Sequence, residues 1–318
     1  MAEYKGIKGF KVQYLSSDPS DSIIGQVWYN STTKALKYTS LTTAGTWATT
    51  GSLNTARRSF AGAGTQTEGL AFGGFAPPQT GATEEYNGST WTASNNMGAG
   101  RNSLAGAGTQ TAAVAAGGYT TTVVAITEEY DGTSWTPQNN MATPRQELSG
   151  AGTQTAAVVF GGGYSATEEY DGSTWTTSPG NMNTTRAALA GCGTQTAALA
   201  FGGEPTTGAT EEYNGTSWTN NPTGLNTARA YLAGAGTQTA ALAFGGNTPP
   251  VTTTGATELY DGSTWTTSPV SMNTARGYLA GTGTQTAALG FGGQPPITGA
   301  TEEWTGPGVT VAKTITVS

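Results

Sequence analysis

The sequence contains no histidine, and it is poor in charge, in cysteine and in long apolar runs. Only 10% of its 318 residues are charged, and Cys192 is the single cysteine. Without histidine the chain lacks the commonest side chain for metal binding and for acid–base catalysis near neutral pH. A lone cysteine forms no disulfide within the chain, and no apolar run approaches the roughly 20 residues of a membrane-spanning helix. We therefore predict no metal, no cofactor and no membrane insertion, and we expect Cys192 to be a small buried apolar residue.

Basic residues are scarce beyond the N-terminal segment. All lysines except Lys313 lie in the first 37 positions, and the formal net charge of the chain is -7. Nucleic-acid binding requires a basic face that neutralises phosphate groups, so we predict no nucleic-acid partner. The distinct composition of residues 1–44 marks them as a separate N-terminal attachment segment.

Glycine and an internal repeat are what the sequence has in abundance. The tetrapeptide GTQT occurs at 64–67, 108–111, 152–155, 193–196, 236–239 and 283–286, a spacing of 41 to 47 residues. Around it, each repeat has small residues after an arginine, an apolar run that ends in two glycines, a TEEY-like segment and a tryptophan. Asn-Gly or Asp-Gly precedes five of these tryptophans and is typical of a hairpin turn. The pattern predicts an all-β chain with four short strands in each repeat.

This order of elements resembles the kelch repeat family, in which a double glycine is followed by a spaced tyrosine and tryptophan. In the first repeat the signature reads LAFGG…EEYNGSTW at 70–91. It recurs with Tyr130 and Trp135, Tyr170 and Trp175, Tyr213 and Trp218, and Tyr260 and Trp265. The sixth repeat departs from it, with Trp304 in place of the tyrosine and TGPG in place of the turn. The resemblance covers about residues 45–304 and implies a kelch-like β-propeller of four-stranded blades over 45–318.

The number of blades depends on how the ring closes. If Gly45-Thr46-Trp47 supplies the outer strand of the sixth repeat, the propeller has six blades, which is the interpretation we favour. In the alternative, FKVQYLSS, GQVWYNS, KALKYTS and GTWATT form a seventh blade and VTVAKTITVS completes the sixth.

One arginine and at least one glutamate recur in every repeat. We predict that they are structural and form ion pairs between sheets or between strand and loop; calcium ligation is the alternative. Adjacent glutamates on a strand point to opposite faces, so such a pair does not act on one substrate as acid and base. The predicted structural residues are Arg57, Arg101, Arg145, Arg186, Arg229 and Arg276 with Glu84, Glu128, Glu168, Glu211, Glu258 and Glu302.

The glutamine of each GTQT segment and the tryptophan of each repeat also have two interpretations. We expect the glutamines to satisfy backbone groups near a turn and the tryptophans to pack between blades. A symmetric set of glycan-binding sites is the alternative for both.

The loop after each double glycine varies in length and content on a constant frame, which is typical of a recognition surface, although neutral variation would look the same. The predicted binding residues at the tips of these loops are Phe75, Pro77, Pro78, Tyr119, Tyr164, Pro249, Pro250 and Pro295.

The segment GQVWYNSTTKALKYTSLTTAGTW at 25–47 resembles a short β-hairpin module of structural proteins of tailed bacteriophages. The Thr/Ser/Gly-rich kelch-like array also resembles those of phages that infect aquatic bacteria. The resemblance implies a virion component, such as a tail fibre or another appendage, that is not an enzyme. We expect the N-terminal segment to bind other virion proteins and the loops to bind a host-surface glycan or receptor. The alternatives are a propeller adhesin on the bacterial cell surface and a sugar-acting enzyme. Whether the chain forms a homo-oligomer stays open.

Overall fold

Residues 12–19, 26–41, 44–308 and 310–315 are described by the structure, a computed structural model. They form β-strands and no helix, and hence no helix that is long and apolar enough to cross a membrane. The chain divides into two units, Trp47–Thr305, and Met1–Thr46 together with Gly306–Ser318. The all-β class predicted from the sequence is confirmed.

Trp47–Thr305 carries six four-stranded sheets built from antiparallel pairs, one for each GTQT repeat. We number them 1 to 6 in chain order and letter their strands a to d across each sheet. Strands a to d are Ala61–Gly64, Gly69–Phe72, Thr83–Tyr86 and Trp91–Ser94 in sheet 1; Ala105–Gly108, Ala113–Ala116, Thr127–Tyr130 and Trp135–Gln138 in sheet 2; Leu148–Thr153, Ala156–Gly161, Glu168–Tyr170 and Trp175–Thr177 in sheet 3; Ala190–Thr194, Ala197–Phe201, Thr210–Tyr213 and Trp218–Asn220 in sheet 4; Ala233–Thr237, Ala240–Phe244, Thr257–Tyr260 and Trp265–Thr267 in sheet 5; and Ala280–Gly283, Ala287–Phe291, Thr301–Thr305 and Thr46–Thr50 in sheet 6. A two-stranded sheet, Asn247–Thr248 with Thr252–Thr253, lies in the loop between strands b and c of sheet 5.

Sheet 6 takes its outer strand from the start of the chain. Thr46–Thr50 lies beside Thr301–Thr305, as in the six-repeat interpretation. The GTWATT segment therefore does not join a seventh sheet with the other N-terminal segments. The C-terminal strand Thr310–Thr314 does not complete sheet 6 either, because it pairs with Ala35–Leu41.

Local chemistry places the turns at one end of each sheet. Asp131 follows strand c of sheet 2, and its carboxylate accepts hydrogen bonds from the backbone N–H groups of Thr133 and Ser134 at 2.8 and 2.7 Å. These backbone bonds lower the pKa of Asp131. Gly132 has a φ of 89°, which a side chain would disfavour. Antiparallel order places the GTQT turns at this same end, and we call it the turn end.

Neighbouring sheets are joined by two side-chain contacts that recur at all six junctions and by a third that recurs at five of them. The tryptophan of each strand d donates its indole N–H to a threonine of the preceding sheet, as Trp135 does to Thr83 at 2.9 Å. Each GTQT glutamine donates to two backbone carbonyls of the preceding sheet, as Gln110 does to those of Gly69 and Tyr86 at 3.0 and 2.6 Å. Between sheets 6 and 1 the same contacts recur, from Trp91 to Thr301 and from Gln66 to Ala288 and Trp304. The glutamines therefore satisfy backbone groups, and the tryptophans pack between sheets.

The third contact is a tyrosine hydroxyl that donates to the second glutamate of the preceding sheet. Tyr170 donates to Glu129 at 3.0 Å, and Tyr86 donates to Glu303 at 2.8 Å across the junction of sheets 6 and 1. The others are Tyr130 to Glu85, Tyr213 to Glu169, and Tyr260 to Glu212. Burial, followed by the bond to Glu85, raises the pKa of Tyr130 to about 12.

The one glutamate replaced by leucine belongs to the one junction that lacks the tyrosine. Leu259 of sheet 5 stands where the other sheets have the acceptor, and Trp304 of sheet 6 stands where they have the donor. Leu259 packs against the buried cluster that contains Trp304. Acceptor and donor are therefore absent together at this junction, which avoids a buried carboxylate without a donor.

The other unit contains a four-stranded sheet in the order Gln13–Leu15, Val27–Asn30, Ala35–Leu41 and Thr310–Thr314. Val27–Asn30 and Ala35–Leu41 form the antiparallel hairpin expected from the sequence. Asp18 forms a 2.6 Å ion pair with Lys37. The unit differs from the predicted 1–44 boundary because it includes the C-terminal strand. Residues 1–11, 20–25 and 42–43 of the predicted attachment segment lie outside the described residues.

Candidate functional site

The six arginine–glutamate pairs anchor the loops that enter strand a. Arg57 lies in the loop that enters sheet 1, and Glu84 is on strand c of that sheet; their nitrogen and oxygen atoms are 3.3 Å apart. Both side chains are buried, with 0% and 1% exposure. The Glu84 carboxylate also accepts from the backbone N–H groups of Asn54 and Thr55 at 2.6 and 3.2 Å. Burial lowers the pKa of Arg57 to about 10, opposed by the charge of Glu84, so Arg57 stays charged at neutral pH. The other pairs are Arg101–Glu128, Arg145–Glu168, Arg186–Glu211, Arg229–Glu258 and Arg276–Glu302.

Two residues beyond each arginine, the backbone forms a closed circuit that we call the mouth ring. Its members are Ser59, Ser103, Glu147, Ala188, Tyr231 and Tyr278, with φ between 51° and 58°. Each donates its backbone N–H to the carbonyl of the ring member in the preceding sheet, and Ser59 donates to Tyr278 at 2.9 Å. Left-handed backbone at residues other than glycine costs about 1 to 3 kcal/mol each and is typical of functional sites. The six strained backbone positions therefore place six side chains around one opening.

The loops between strands b and c begin beside the mouth ring. Phe75 and Arg58 exchange backbone hydrogen bonds at 2.8 and 3.2 Å, and Tyr119 and Asn102 do so at 2.8 and 3.0 Å. Sheets 4, 5 and 6 have the same bridge, with Glu204, Asn247 and Gln294 as the first loop residues. The mouth ring and these loops lie at the end of the sheets opposite the turn end, and we call it the mouth end.

The mouth ring borders two cavities. One, of about 180 Å³, is lined by strand a and its preceding residues from all six sheets, with small side chains such as Ala61 and Gly62. The other, of about 350 Å³, is lined by ten residues that include Arg58, Phe75, Tyr119 and Glu147. We call the second cavity the mouth pocket. Its volume lies in the lower part of the range of small-ligand sites.

The structure brings together some of the predicted binding residues and leaves others apart. Phe75 and Tyr119 line the mouth pocket. Tyr164 is 45% exposed, with the Arg145 guanidinium 5.5 Å from its ring centre. The five predicted prolines, Pro77, Pro78, Pro249, Pro250 and Pro295, are exposed on the loops and do not line the mouth pocket.

Aromatic and acidic side chains of the mouth ring interact with one another. The rings of Tyr231 and Tyr278 are stacked, with centres 3.9 Å apart and planes at 23°. Tyr231 lies close enough to Glu147 for each side chain to affect the pKa of the other. Burial, followed by the charge of Glu204, raises the pKa of Glu147, while the interaction with Tyr231 opposes the rise. Burial raises the pKa of Tyr231, and the charge of Glu147 adds to that rise. Stacked phenols beside carboxylates provide both an apolar surface and hydrogen-bonding groups.

Charged groups that have no part in the repeated contacts gather at the mouth end. In Trp47–Thr305 the recurrent glutamates pair with arginine or accept from tyrosine, and the aspartates cap turns. The charged residues left over are Arg58, Glu68, Glu147 and Glu204. Glu68 is on the turn end beside strand b of sheet 1, and the other three are at the mouth end. A charge outside the scaffold is a candidate for contact with a ligand.

Sequence analysis missed the two positions after each arginine. They read Arg-Ser, Asn-Ser, Gln-Glu, Ala-Ala, Ala-Tyr and Gly-Tyr in repeats 1 to 6. This variation beside a constant arginine is visible in the sequence, and it is the signal that would have found them.

Comparison with known proteins finds no matching family model and no matching curated protein. Among the described residues no three acidic or cysteine side chains are grouped as a metal site. The buried Cys192 has a thiol pKa raised to about 12 by burial.

Proposed function

We propose that Trp47–Thr305 is a six-bladed, kelch-like β-propeller. Two features support this. The backbone circuit of the mouth ring returns from Tyr278 to Ser59, and the contacts between sheets 6 and 1 repeat those between the other sheets. A row of stacked sheets with free ends would lack both features. The cavity lined by all six a strands is then the central channel of the propeller.

We propose further that the propeller is a binding protein and that its mouth end recognises a glycan. The observation that carries this proposal is the contrast between identical scaffold contacts and different side chains at the mouth positions. Those side chains include stacked tyrosines, amides, carboxylates and one guanidinium, and sugars are bound by aromatic faces together with planar polar groups. A rigid scaffold that carries varied side chains is typical of recognition.

The biological setting that we propose is a phage virion, with the chain as a non-enzymatic tail fibre or other appendage that contacts the host surface. The support is the resemblance of residues 25–47 to a phage hairpin module, a segment that includes the hairpin of Val27–Asn30 and Ala35–Leu41. An adhesin on a bacterial surface would use the same mouth end. Mass spectrometry of purified phage particles distinguishes the two, because the chain would be present only in the first case.

The binding proposal is tested by replacing Phe75 and Tyr119 with serine and measuring binding to host cells and to a glycan array. Both side chains are partly exposed, so we expect each replacement to lower the free energy of unfolding by about 0.5 kcal/mol. Binding should fall at least tenfold.

Two control variants separate the mouth pocket from other surfaces. Replacing Pro77 and Pro78 with alanine changes the loop tip alone, and Gln110→Ala changes the turn end. Both should bind like the parent protein at a temperature where all variants are folded. If Gln110→Ala loses binding and the mouth variant does not, the ligand binds at the turn end and the proposal is wrong.

A sugar-acting enzyme is a second candidate, favoured by one observation. Glu147 has a raised pKa beside Glu204, as a general acid beside a second carboxylate would. Release of reducing sugar from a bound glycan, abolished in Glu147→Gln while binding persists, would establish it. If the glycan is bound and no sugar is released, the enzyme proposal is wrong and the proposal of glycan recognition stands.

A further inference from the structure

Arg58 differs from every other cationic side chain of Trp47–Thr305, a range that the structure describes completely. This range contains seven arginines and no lysine. Six of the arginines form the buried pairs with strand c, and Arg58 forms no ion pair within the range. In the other five repeats its position is occupied by uncharged residues. The cation is therefore no part of the repeated scaffold.

The Arg58 guanidinium lies against two aromatic rings that line the mouth pocket. Its central carbon is 4.9 Å from the ring centre of Phe75 and 5.5 Å from that of Tyr278. Its buried Nε, like that of five of the paired arginines, has no hydrogen-bond partner among the described residues. Contact with aromatic faces orients a guanidinium and leaves free the N–H donors, which lie in the plane of the guanidinium group. Arg58 is thus oriented by Phe75 and Tyr278 but hydrogen-bonded to neither.

We propose that the mouth pocket binds the carboxylate of an acidic sugar residue and that Arg58 holds this carboxylate through two parallel N–H···O bonds. The proposal rests on the proposed function, because it names the class of glycan bound at the same site. A planar guanidinium matches a carboxylate in geometry, and such charge-assisted pairs are stronger than neutral hydrogen bonds.

The other charges of the mouth end favour a single carboxylate over a phosphate or a sulfate cluster. Glu147 lines the same pocket as Arg58, and Glu204 is close enough to Glu147 to raise its pKa. A doubly charged phosphate would be repelled by both glutamates. The hydroxyl groups of a sugar, in contrast, donate hydrogen bonds to carboxylates. One cation and nearby acidic acceptors therefore fit a uronic or other sugar acid with free hydroxyls.

The test uses the full chain on an array that carries galacturonate, glucuronate and nonulosonate glycans, each printed beside its methyl ester. Ester and acid differ only in the charged group that Arg58 is proposed to bind. The array also carries phosphorylated and sulfated glycans. The variants are Arg58→Gln and Arg58→Lys, with Glu68→Gln as the charge control at the turn end.

We expect binding to at least one acidic glycan, weakened about ten- to a hundredfold by esterification or by Arg58→Gln. Arg58→Lys should be intermediate because it keeps the charge and loses the planar fork. Glu68→Gln should bind like the parent. The free acids that are bound show which of the three sugar classes provides the carboxylate.

The remaining outcomes separate this inference from the proposed function. Equal binding of acid and ester, or normal binding by Arg58→Gln, overturns the inference about the carboxylate. If the variant with serine at Phe75 and Tyr119 loses binding in that case, the proposed glycan recognition stands. A preference for phosphorylated or sulfated glycans also overturns the carboxylate assignment. Failure to bind any glycan overturns both.

Discussion

The turn end and the mouth end of the six sheets have the same backbone frame and use their side chains in opposite ways. At the turn end, the GTQT glutamine makes the same two hydrogen bonds to the preceding sheet in every repeat, as Gln154 does to Ala113 and Tyr130. At the mouth end, the positions two residues beyond the arginines hold serine, glutamate, alanine or tyrosine on the same left-handed backbone. The glutamines that join the sheets are constant, and the side chains of the mouth ring vary.

This difference shows how nearly identical repeats can present different side chains at one end of the sheets. Six equal units would give six equal surfaces, and a ligand would meet six weak and equivalent contacts. Because the scaffold contacts use other residues, the mouth positions are free to differ, and one guanidinium, two carboxylates and two stacked tyrosines meet at one opening. Substitutions at the two ends should therefore affect stability and binding separately.

The largest effect is expected from Glu84→Ala at the scaffold. The change leaves the buried Arg57 without its partner and removes the acceptor of the Asn54 and Thr55 backbone N–H groups. Breaking a buried pair by removing one partner costs about 3 to 5 kcal/mol. Denaturation in urea should show a loss of this size in the free energy of unfolding, with glycan binding unchanged in the folded fraction.

The neighbouring glutamate provides a matched control. Glu85 points to the other face of the strand and accepts one hydrogen bond, from Tyr130. Glu85→Ala should cost about 1 to 2 kcal/mol, because it removes one hydrogen bond at a partly exposed position. If Glu84→Ala and Glu85→Ala lowered the free energy of unfolding equally, the buried ion pair would not stabilise the fold more than the contact between sheets.

A smaller effect is expected at the junction of sheets 5 and 6, where Leu259 and Trp304 replace the glutamate and the tyrosine. Leu259→Glu alone places a carboxylate beside an indole, and Trp304→Tyr alone loses packing against Trp47, whose ring centre is 5.4 Å away. Together they restore the donor and acceptor of the other junctions. The double variant should be about 1 kcal/mol more stable than the sum of the single changes predicts, as measured by a double-mutant cycle. An additive result would mean that the two replacements are unrelated.

Much of the fold was open to prediction from the sequence because it depends on local chemistry that recurs. The double glycines, the Asp-Gly turns and the apolar runs predict four strands in every repeat, and the GTQT spacing gives the period. Which segment completes sheet 6 was not decided by local chemistry, because GTWATT and VTVAKTITVS are both suitable strands. Their pairing depends on contacts between residues that are distant in the chain.

The site was less accessible to prediction, for two physical reasons. Phe75 and Tyr119, which line the mouth pocket, were predicted because they are aromatic residues in variable loops. Tyr231, Glu147 and Arg58 were not predicted because their place at the mouth end depends on the left-handed backbone of the mouth ring and on a circuit through all six sheets, and a single repeat reveals neither. The prolines were predicted from composition, but their distance from the pocket depends on how each loop folds back.

The smallest predicted effect concerns Glu147, whose pKa is raised above its ordinary value of 4.5 by burial and by Glu204. A raised pKa means that the folded protein binds the proton more tightly than the unfolded chain. The stability that this gives is fully present below pH 4.5 and is lost as the pH rises through the raised pKa. Glu147→Gln should therefore raise the free energy of unfolding at pH 7.5 by a few tenths of a kcal/mol, reduced by solvent screening at this partly exposed position, and change little at pH 4. Melting curves at the two pH values measure the difference, and in a Glu204→Gln background it should shrink because the repelling charge is gone. A variant that is less stable than the parent at pH 7.5 would show that the interaction with Tyr231 outweighs the repulsion, and Glu147 would then belong to the scaffold and not to the candidate site.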